Sequence, residues 1–266
     1  MSSLFGKNAA EFPQASAAEG LEADKTSKSE LKEEILGPGI VFSSVSFAYP
    51  HAITKVIQKL NMHIHAGEHI GIVGPSGCGK STILQLMLGI VEADEGQVTV
   101  SGLNASEYLK AGAFHIAYVG PDPFLIRGTI RENLHYGLPW QVDDSEIWAH
   151  IEGLKLDHVI SGFRGGLDHQ IQENGSGMSA GQKQRLAMVR ALLRKPKLMI
   201  LDEASANLDD VSEAAVSEAV AKLKRICTVV IVSHRKGMLK HADRVLEFDA
   251  FGKLELLSQR GATYTM

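Results

Sequence analysis

Residues 74–81 read Gly74-Pro75-Ser76-Gly77-Cys78-Gly79-Lys80-Ser81, and Thr82 follows them. This stretch fits the pattern G-x-x-x-x-G-K-[ST]. The apolar run of residues 70–73 in front of it predicts a buried strand, and residues 81–89 behind it carry apolar side chains at helical spacing. A strand, this loop and a helix in that order are typical of a loop that surrounds nucleotide phosphates.

The chemistry of this phosphate loop (residues 74–81) follows from its composition. Glycines let backbone N–H groups point at phosphate oxygens, and the helix N-terminus adds partial positive charge. We expect residues 74–81 and Thr82 to bind the nucleotide, with Lys80 at the β- and γ-phosphates and Ser81 as a ligand of Mg²⁺. The alternative is a chance match, which the flanking strand and helix disfavour.

Two carboxylates follow a second apolar run, residues 198–201. Asp202 is expected at the carboxyl end of a parallel strand, where ligands of such sheets bind, and it suits Mg²⁺. Glu203 could orient and deprotonate a water molecule in line with the γ-phosphate. An acidic pair in this position is also a common helix cap, and the phosphate loop favours the catalytic interpretation.

The overall composition restricts the function classes. The 266 residues contain 27 Lys and Arg against 31 Asp and Glu, a net charge of -4, so no strong positive field attracts nucleic acid, and none is expected as a partner. The two cysteines define neither a disulfide framework nor a metal cluster. The apolar runs fall well short of the roughly 18 residues that a membrane helix needs.

The order of the predicted elements indicates the fold class. Residues 1–38 are poor in aromatic and β-branched residues and are expected to form a linker or a disordered segment. Further strands are predicted near residues 40–49, 97–100, 115–119 and 229–232, with helices between residues 129 and 194 and over residues 211–223. We therefore expect an α/β fold with a mixed, mostly parallel sheet covered by helices.

A third motif, Met178-Ser179-Ala180-Gly181-Gln182, lies upstream of Asp202. Together with the phosphate loop and the acidic pair it resembles the ATP-binding subunits of ABC transporters, over about residues 40–256. The family pattern is Leu-Ser-Gly-Gly-Gln, so Met and Ala are mild departures. The resemblance implies a P-loop NTPase core in residues 39–266, with a helical subdomain at about residues 125–190 that carries this signature segment (residues 178–182).

The resemblance also implies ATP and Mg²⁺ as ligands and a second ATP-binding domain as partner, in a homo- or heterodimer. In the family two domains stack head to tail, so that Ser179, Gly181 and Gln182 would face the ATP of the other domain. From the residues alone, the signature segment begins a helix and can equally be a plain helix cap.

Three single residues receive roles from the same resemblance. His234 would contact the γ-phosphate and help to hold the water molecule, because consecutive parallel strands bring it to the same edge as Asp202. Residues 205–209 resemble the D-loop of the family, which crosses the dimer interface, with Asp209 as its acidic residue. Tyr49 would stack on adenine. The simpler alternatives are a structural or exposed histidine and a tyrosine at a strand edge.

One position departs from the family. The glutamine of the Q-loop, which contacts Mg²⁺ and water, would fall at Pro121, and proline offers no side-chain donor or acceptor. Metal binding would then depend more on Ser81, Asp202 and water, with Asp122 as a substitute acid. We expect slower hydrolysis, or looser coupling, than in a family member that has the glutamine.

The segments Glu173-Asn174-Gly175 and Arg127-Gly128-Thr129-Ile130-Arg131-Glu132-Asn133-Leu134 resemble the exporter branch of the family. The expected function is ATP hydrolysis that drives a transmembrane domain or subunit, at the cytoplasmic face of the membrane. The membrane domain belongs either to a separate subunit or to the same polypeptide. Two alternatives stay open: a soluble ABC-type ATPase that is not coupled to transport, and an ATP-gated module with weak hydrolysis.

Overall fold

The predicted parallel strands lie side by side in one sheet. The structure, a computed structural model, describes residues 37–112, 115–172, 175–249 and 254–259. Its strands are β1 (Ile40–Phe47), β2 (Ile57–Ile64), β3 (His69–Val73), β4 (Glu95–Val100), β5 (Leu103–Asn104), β6 (Ile116–Val119), β7 (Gly128–Thr129), β8 (Gln170–Ile171), β9 (Leu198–Asp202), β10 (Thr228–Val232), β11 (Arg244–Phe248) and β12 (Leu254–Gln259). Its α-helices are α1 (Lys80–Met87), α2 (Ala105–Gly112), α3 (Ile130–His135), α4 (Asp144–Gly153), α5 (Asp157–Gly162), α6 (Ala180–Leu193), α7 (Asp210–Ala221) and α8 (Lys236–Leu239).

The central sheet has the order β12-β11-β3-β10-β9-β6. Only β12 is antiparallel to its neighbour; the other five strands are mutually parallel. Val232 of β10 pairs with Asp202 of β9 on one side and with Ile72 of β3 on the other. The carboxyl ends of β3, β9 and β10 therefore lie at one edge, and the expectation of a mixed, mostly parallel sheet is confirmed.

Alternate residues of β9 and β10 face opposite sides of this sheet. Met199 and Ile231 belong to one apolar cluster, which includes buried residues of α3 to α7. Ile200 and Val230 belong to a second cluster, with α1 and the strands β1, β2 and β4. Since side chains alternate along a strand, one sheet fills both cores. The strands are covered on both faces, as their near-continuous apolar sequences predict.

A separate antiparallel sheet covers the second cluster. Its order is β2-β1-β4-β5, and it was not predicted as a sheet of its own. Apolar residues of β1 and β2 face inward, while Lys59 and Asn61 face outward. Since β1 ends at Phe47, Tyr49 lies in the loop that directly follows β1.

The middle of the chain is mainly helical, as predicted. Helices α3, α4, α5 and α6 bury Ile130, Ile147, Ile160 and Leu186 in the first cluster. Two of these helices begin with a capping box, in which Thr129 pairs with Glu132 and Ser179 pairs with Gln182. The limits of a helical subdomain at residues 125–190 remain a prediction. None of the helices in the described residues is long and apolar enough to cross a membrane.

The described chain starts at Gly37, and both Gly37 and Pro38 are buried. Thr228 Oγ1 donates a hydrogen bond of 2.7 Å to Pro38 O. A Cβ atom at Gly37 would lie 2.1 Å from Thr228 N, so only glycine fits there. The rest of the predicted linker, residues 1–36, lies outside the described residues, and its character stays a prediction.

Candidate nucleotide site

The phosphate loop joins β3 to α1, as its sequence predicts. Lys80 is buried, and its Nζ donates hydrogen bonds to Gly74 O at 2.7 Å and Pro75 O at 2.8 Å. Gly74 has φ +148, and a Cβ atom there would lie 2.4 Å from Phe248 O. Gly79, at φ +106, is the N-cap of α1, so a side chain would be strained at both positions. The loop thus folds around the ammonium group.

The loop opens into a cavity of about 300 Å³. It is lined by Tyr49, Val56, Ser76, Gly77, Gly79, Lys80, Ser81, Thr82, Asp202 and Glu203. Nearly all of these are residues that the sequence assigned to nucleotide, metal or catalysis. Gly74, Pro75 and Cys78 do not line the cavity, and the carbonyls of Gly74 and Pro75 hold Lys80. Buried Cys78 places its Sγ 4.0 Å from Lys80 Nζ.

Tyr49 is fixed at the mouth of this cavity. Its hydroxyl forms a hydrogen bond of 3.1 Å with Thr82 Oγ1 and donates one of 3.0 Å to Gln85 Oε1. Its ring packs edge-on against Phe47, with the two ring centres 5.0 Å apart. Tyr49 as a whole is 39% exposed. Adenine stacking on Tyr49 stays a prediction.

Asp202 and Glu203 lie where β9 ends. The backbone of Glu203 has φ +51, and its N–H donates to Val232 O at 2.8 Å. A non-glycine residue in this region carries strain of about 1–3 kcal/mol, and such residues cluster at functional sites. Burial raises the pKa of the Asp202 carboxyl, while a hydrogen bond from Tyr118 and the charge of Lys80 act in the opposite direction.

The donor set of the cavity fits Mg²⁺. Ser81 and Asp202 supply a hydroxyl and a carboxylate, both hard oxygen donors. Within the residues that the structure describes, no group of three or more His, Cys, Asp or Glu side chains could hold a metal ion. Mg²⁺ characteristically takes one or two carboxylates and completes its shell with water and substrate phosphates. The site therefore suits a metal that arrives with a phosphate.

The remaining predicted residues lie away from the cavity lining. His234 follows β10 and is exposed; its strand reaches the expected edge, next to Asp202, but its side chain does not line the cavity. Asp209 caps α7, because its Oδ1 accepts a hydrogen bond of 2.8 Å from Ser212 N. This hydrogen bond lowers the pKa of Asp209. The roles of both residues toward nucleotide stay predictions.

Two residues of the signature segment, Ser179 and Gln182, hydrogen-bond to each other. Ser179 Oγ accepts a hydrogen bond of 3.2 Å from Gln182 N, and Gln182 Oε1 accepts one of 2.9 Å from Ser179 N. The helix-cap interpretation thus holds within one chain. Gly181 packs against the D-loop, since a Cβ atom there would lie 2.8 Å from Asn207 O. Glu173 and Asn174 of the exporter-like segment lie outside the described residues.

Gln184 is a residue of this site that the sequence did not reveal. It is 1% exposed, and its Nε2 donates to Pro121 O at 3.3 Å and to Glu203 O at 3.4 Å. Its Oε1 accepts a hydrogen bond of 3.2 Å from Asn207 N. A polar residue on the same helix face as buried Met188 was the available signal. One side chain thus joins the segment after β6, the carboxylate pair and the D-loop.

Tyr118 of β6 was missed as well. Its hydroxyl donates a hydrogen bond of 3.2 Å to Asp202 Oδ2. Burial and the neighbouring Asp202 raise the pKa of Tyr118 to about 12. The sequence carries no local signal for this contact, because the two residues come from different strands.

Comparisons with known proteins agree with this geometry. The family model described as ABC transporter matches residues 57–206. An uncharacterized ABC transporter ATP-binding protein of Bacillus subtilis, YwjA, is 38% identical over 208 residues, which cover 78% of this chain and 36% of the relative. Human ATP-binding cassette sub-family B member 5 is 33% identical over 255 residues, which cover 91% of this chain and 20% of the relative.

The fold is also similar to that of a bacterial Atm1-family ABC exporter with ATP bound. The TM-score is 0.75 at 28% sequence identity, over 82% of this chain and 38% of the exporter chain. The chain thus spans well under half the length of these relatives. ATP-binding domains of ABC transporters are ATPases. Because the family model covers more than half of the sequence, and the relatives match most of it, the chain belongs to the ABC transporter family as an ATP-binding domain.

Proposed function

We propose that the chain binds ATP with Mg²⁺ in the cavity beside the phosphate loop and hydrolyses it. The observation that carries this proposal is the convergence of Lys80 and Ser81 from the loop with Asp202 and Glu203 from β9 around one cavity of about 300 Å³. A cation, two hard oxygen donors and a carboxylate base are the groups that phosphoryl transfer to water needs.

Each residue of the proposed site has its own role in ATP hydrolysis. Lys80, now held by two loop carbonyls, turns its N–H donors to the phosphate oxygens, where charge assistance makes the hydrogen bonds stronger. Ser81 and Asp202 hold Mg²⁺, which neutralises phosphate charge when bound. Glu203 orients a water molecule and accepts its proton. His234 and Tyr49 are assigned to the γ-phosphate and to adenine.

The second half of the proposed site comes from another ATP-binding domain. Ser179 and Gly181 do not line the cavity of their own chain, and they stand exposed or half-exposed at the start of α6. We place them, with Gln182 and Asp209, across a head-to-tail interface. ATP would then join the two domains and hydrolysis would release them. The partner is either a second copy or a related domain.

The output of this cycle is transport by a membrane partner at the cytoplasmic face of a membrane. The support is the likeness to exporters: the matched solved structure is an ABC exporter, and the chain spans 38% of that protein. Pro121 supports a second candidate, an ATP-gated module with weak hydrolysis, because its side chain cannot contact Mg²⁺ or water.

The test of hydrolysis is phosphate release by the unmodified chain and by Glu203→Gln. We expect the substitution to lower kcat by about 10²- to 10⁴-fold, the usual contribution of a general base. ATP affinity should stay unchanged, since Glu203 is assigned to the water molecule. Hydrolysis that survives in Glu203→Gln would refute this assignment, and an unmodified chain that binds ATP without turnover would favour the gated module.

The test of transport coupling is purification from detergent-solubilised membranes. We expect a polytopic membrane protein to be retained in near-stoichiometric amount, and its reconstitution to raise the ATPase rate. A chain that hydrolyses ATP at full rate, while no membrane protein is retained, would instead support the soluble ATPase.

A further inference from the structure

The position of the family glutamine is occupied by a residue that cannot replace it. Pro121 contributes only its carbonyl, which accepts a hydrogen bond from Gln184 Nε2 at 3.3 Å. Pro121 therefore cannot supply the side-chain oxygen that the family resemblance places at this position. The structure places another polar group next to Asp202.

That group is the hydroxyl of Tyr118. Tyr118 pairs with Ile200 on β9, two residues before Asp202, and residues two apart face the same side of a strand. Asp202 thus lies about 6–7 Å further along the sheet, a distance that a tyrosine ring and hydroxyl can span. The hydroxyl reaches Asp202 Oδ2 at 3.2 Å.

The surroundings of Tyr118 favour this orientation. Gly120 leaves space beside the ring, since a Cβ atom there would lie 3.1 Å from both the ring and the hydroxyl oxygen of Tyr118. A tyrosine hydroxyl carries its proton at neutral pH, so the Tyr118 hydroxyl acts as a donor to Asp202 Oδ2. A carboxylate that ligates a metal is characteristically held by such an outer hydrogen bond, which fixes the direction of its lone pairs.

We propose that Tyr118 is a positioning residue for the magnesium site: its hydroxyl orients the Asp202 carboxylate toward the metal, whereas Pro121 has no side-chain group that could do so. This inference rests on the proposed function, because it deepens the assignment of Asp202 to Mg²⁺. It assigns Tyr118 no contact with ATP and no proton transfer.

The experiment compares Tyr118→Phe with Tyr136→Phe. Both tyrosines line the same groove and are similarly exposed, at 51% and 50%, and Tyr118 carries the hydrogen bond to Asp202. The dissociation constant of a fluorescent ADP analogue is measured for each chain in EDTA and in saturating magnesium. ADP has no γ-phosphate to cleave, so the ratio of the two constants reports the contribution of the metal without turnover.

We expect Tyr118→Phe to bind the analogue in EDTA with the same dissociation constant as the unmodified chain. The ratio of the dissociation constant in EDTA to that in magnesium should be about tenfold smaller than for the unmodified chain. Tyr136→Phe should match the unmodified chain in both conditions. Unchanged binding in EDTA also shows that the variant is folded. The inference is overturned if Tyr118→Phe keeps the full magnesium gain, or if Tyr136→Phe loses as much.

The same data separate this inference from the proposed function. An unmodified chain that fails to bind the analogue in either condition overturns both. A normal magnesium gain in the unmodified chain that Tyr118→Phe leaves intact overturns only the role of Tyr118.

Discussion

The N-termini of α1 and α6 differ in how they are capped. At α1 the N-cap is Gly79, and no side chain caps the helix within the described structure. At α6, Ser179 and Gln182 form a capping box. The first N–H groups of a helix need partners, so the uncapped end is ready for phosphate oxygens, whereas the capped end is stable in a single chain. The difference agrees with the proposal that the two ends play unequal parts in one composite site.

The largest effect is expected at Lys80, the cation at the uncapped N-terminus of α1. We expect Lys80→Met to weaken ATP binding about 10- to 100-fold, because it removes charge-assisted hydrogen bonds worth about 1.5–3 kcal/mol. The measurement is calorimetric titration with MgATP. Ser179→Ala is the control, since a single chain should bind ATP equally well without that hydroxyl. An equal loss of ATP affinity in both variants would contradict the proposal that only the N-terminus of α1 binds ATP within one chain.

Gln184 links α6 to the carboxylate pair, because it lies on α6 and donates to the carbonyl of Glu203. Gln184→Leu leaves the carbonyls of Pro121 and Glu203 and the N–H of Asn207 without this partner. We expect a loss of about 1–3 kcal/mol in the free energy of unfolding, and a fall in kcat at unchanged ATP affinity. Chemical denaturation and steady-state kinetics would show this. A variant that loses stability but keeps kcat would limit Gln184 to a structural role.

The capped end can be compared with a matched cap elsewhere. Thr129 caps α3 through the same kind of box that Ser179 forms at α6. We expect Thr129→Ala and Ser179→Ala each to lose about 1 kcal/mol of stability. Only Ser179→Ala should also slow hydrolysis at saturating ATP. If both variants hydrolyse ATP alike once the loss of stability is allowed for, Ser179 is only a cap.

The smallest effect is expected at Pro121. Pro121→Gln should raise the ATPase rate about fivefold, the equivalent of one net hydrogen bond of about 1 kcal/mol to metal-bound water. The assay is steady-state phosphate release at saturating MgATP. An unchanged or slower rate would show that the proline is not what limits hydrolysis.

Local sequence predicted the parts of the fold that depend on local patterns. The strand, loop and helix around Lys80 and the strand that ends at Asp202 lie where their apolar runs indicated. The prediction that β9 and β10 end at the same edge was possible because the carboxyl ends of parallel strands lie at one edge of a sheet. The antiparallel sheet was harder, because residues 57–64 mix polar and apolar side chains and pair with β1 and not with the central sheet.

The contacts that complete the site could not be predicted in this way. Tyr118 and Asp202 are 84 residues apart, and Gln184 and Pro121 are 63 residues apart. Such pairs are fixed by strand register and by the position of α6, neither of which a single sequence specifies. His234 is the opposite case: the topology brings β10 to the expected edge beside Asp202, yet the exposed His234 side chain does not line the cavity.

The most direct test of the composite site mixes two inactive chains. Lys80→Met lacks a working loop, and Ser179→Arg blocks the signature segment, so neither can form a complete site with itself. A mixed head-to-tail pair has one complete site, built from the loop of one chain and the signature segment of the other. Random pairing should then restore about one quarter of the unmodified ATPase rate. A mixture no faster than the two variants measured separately would contradict the account.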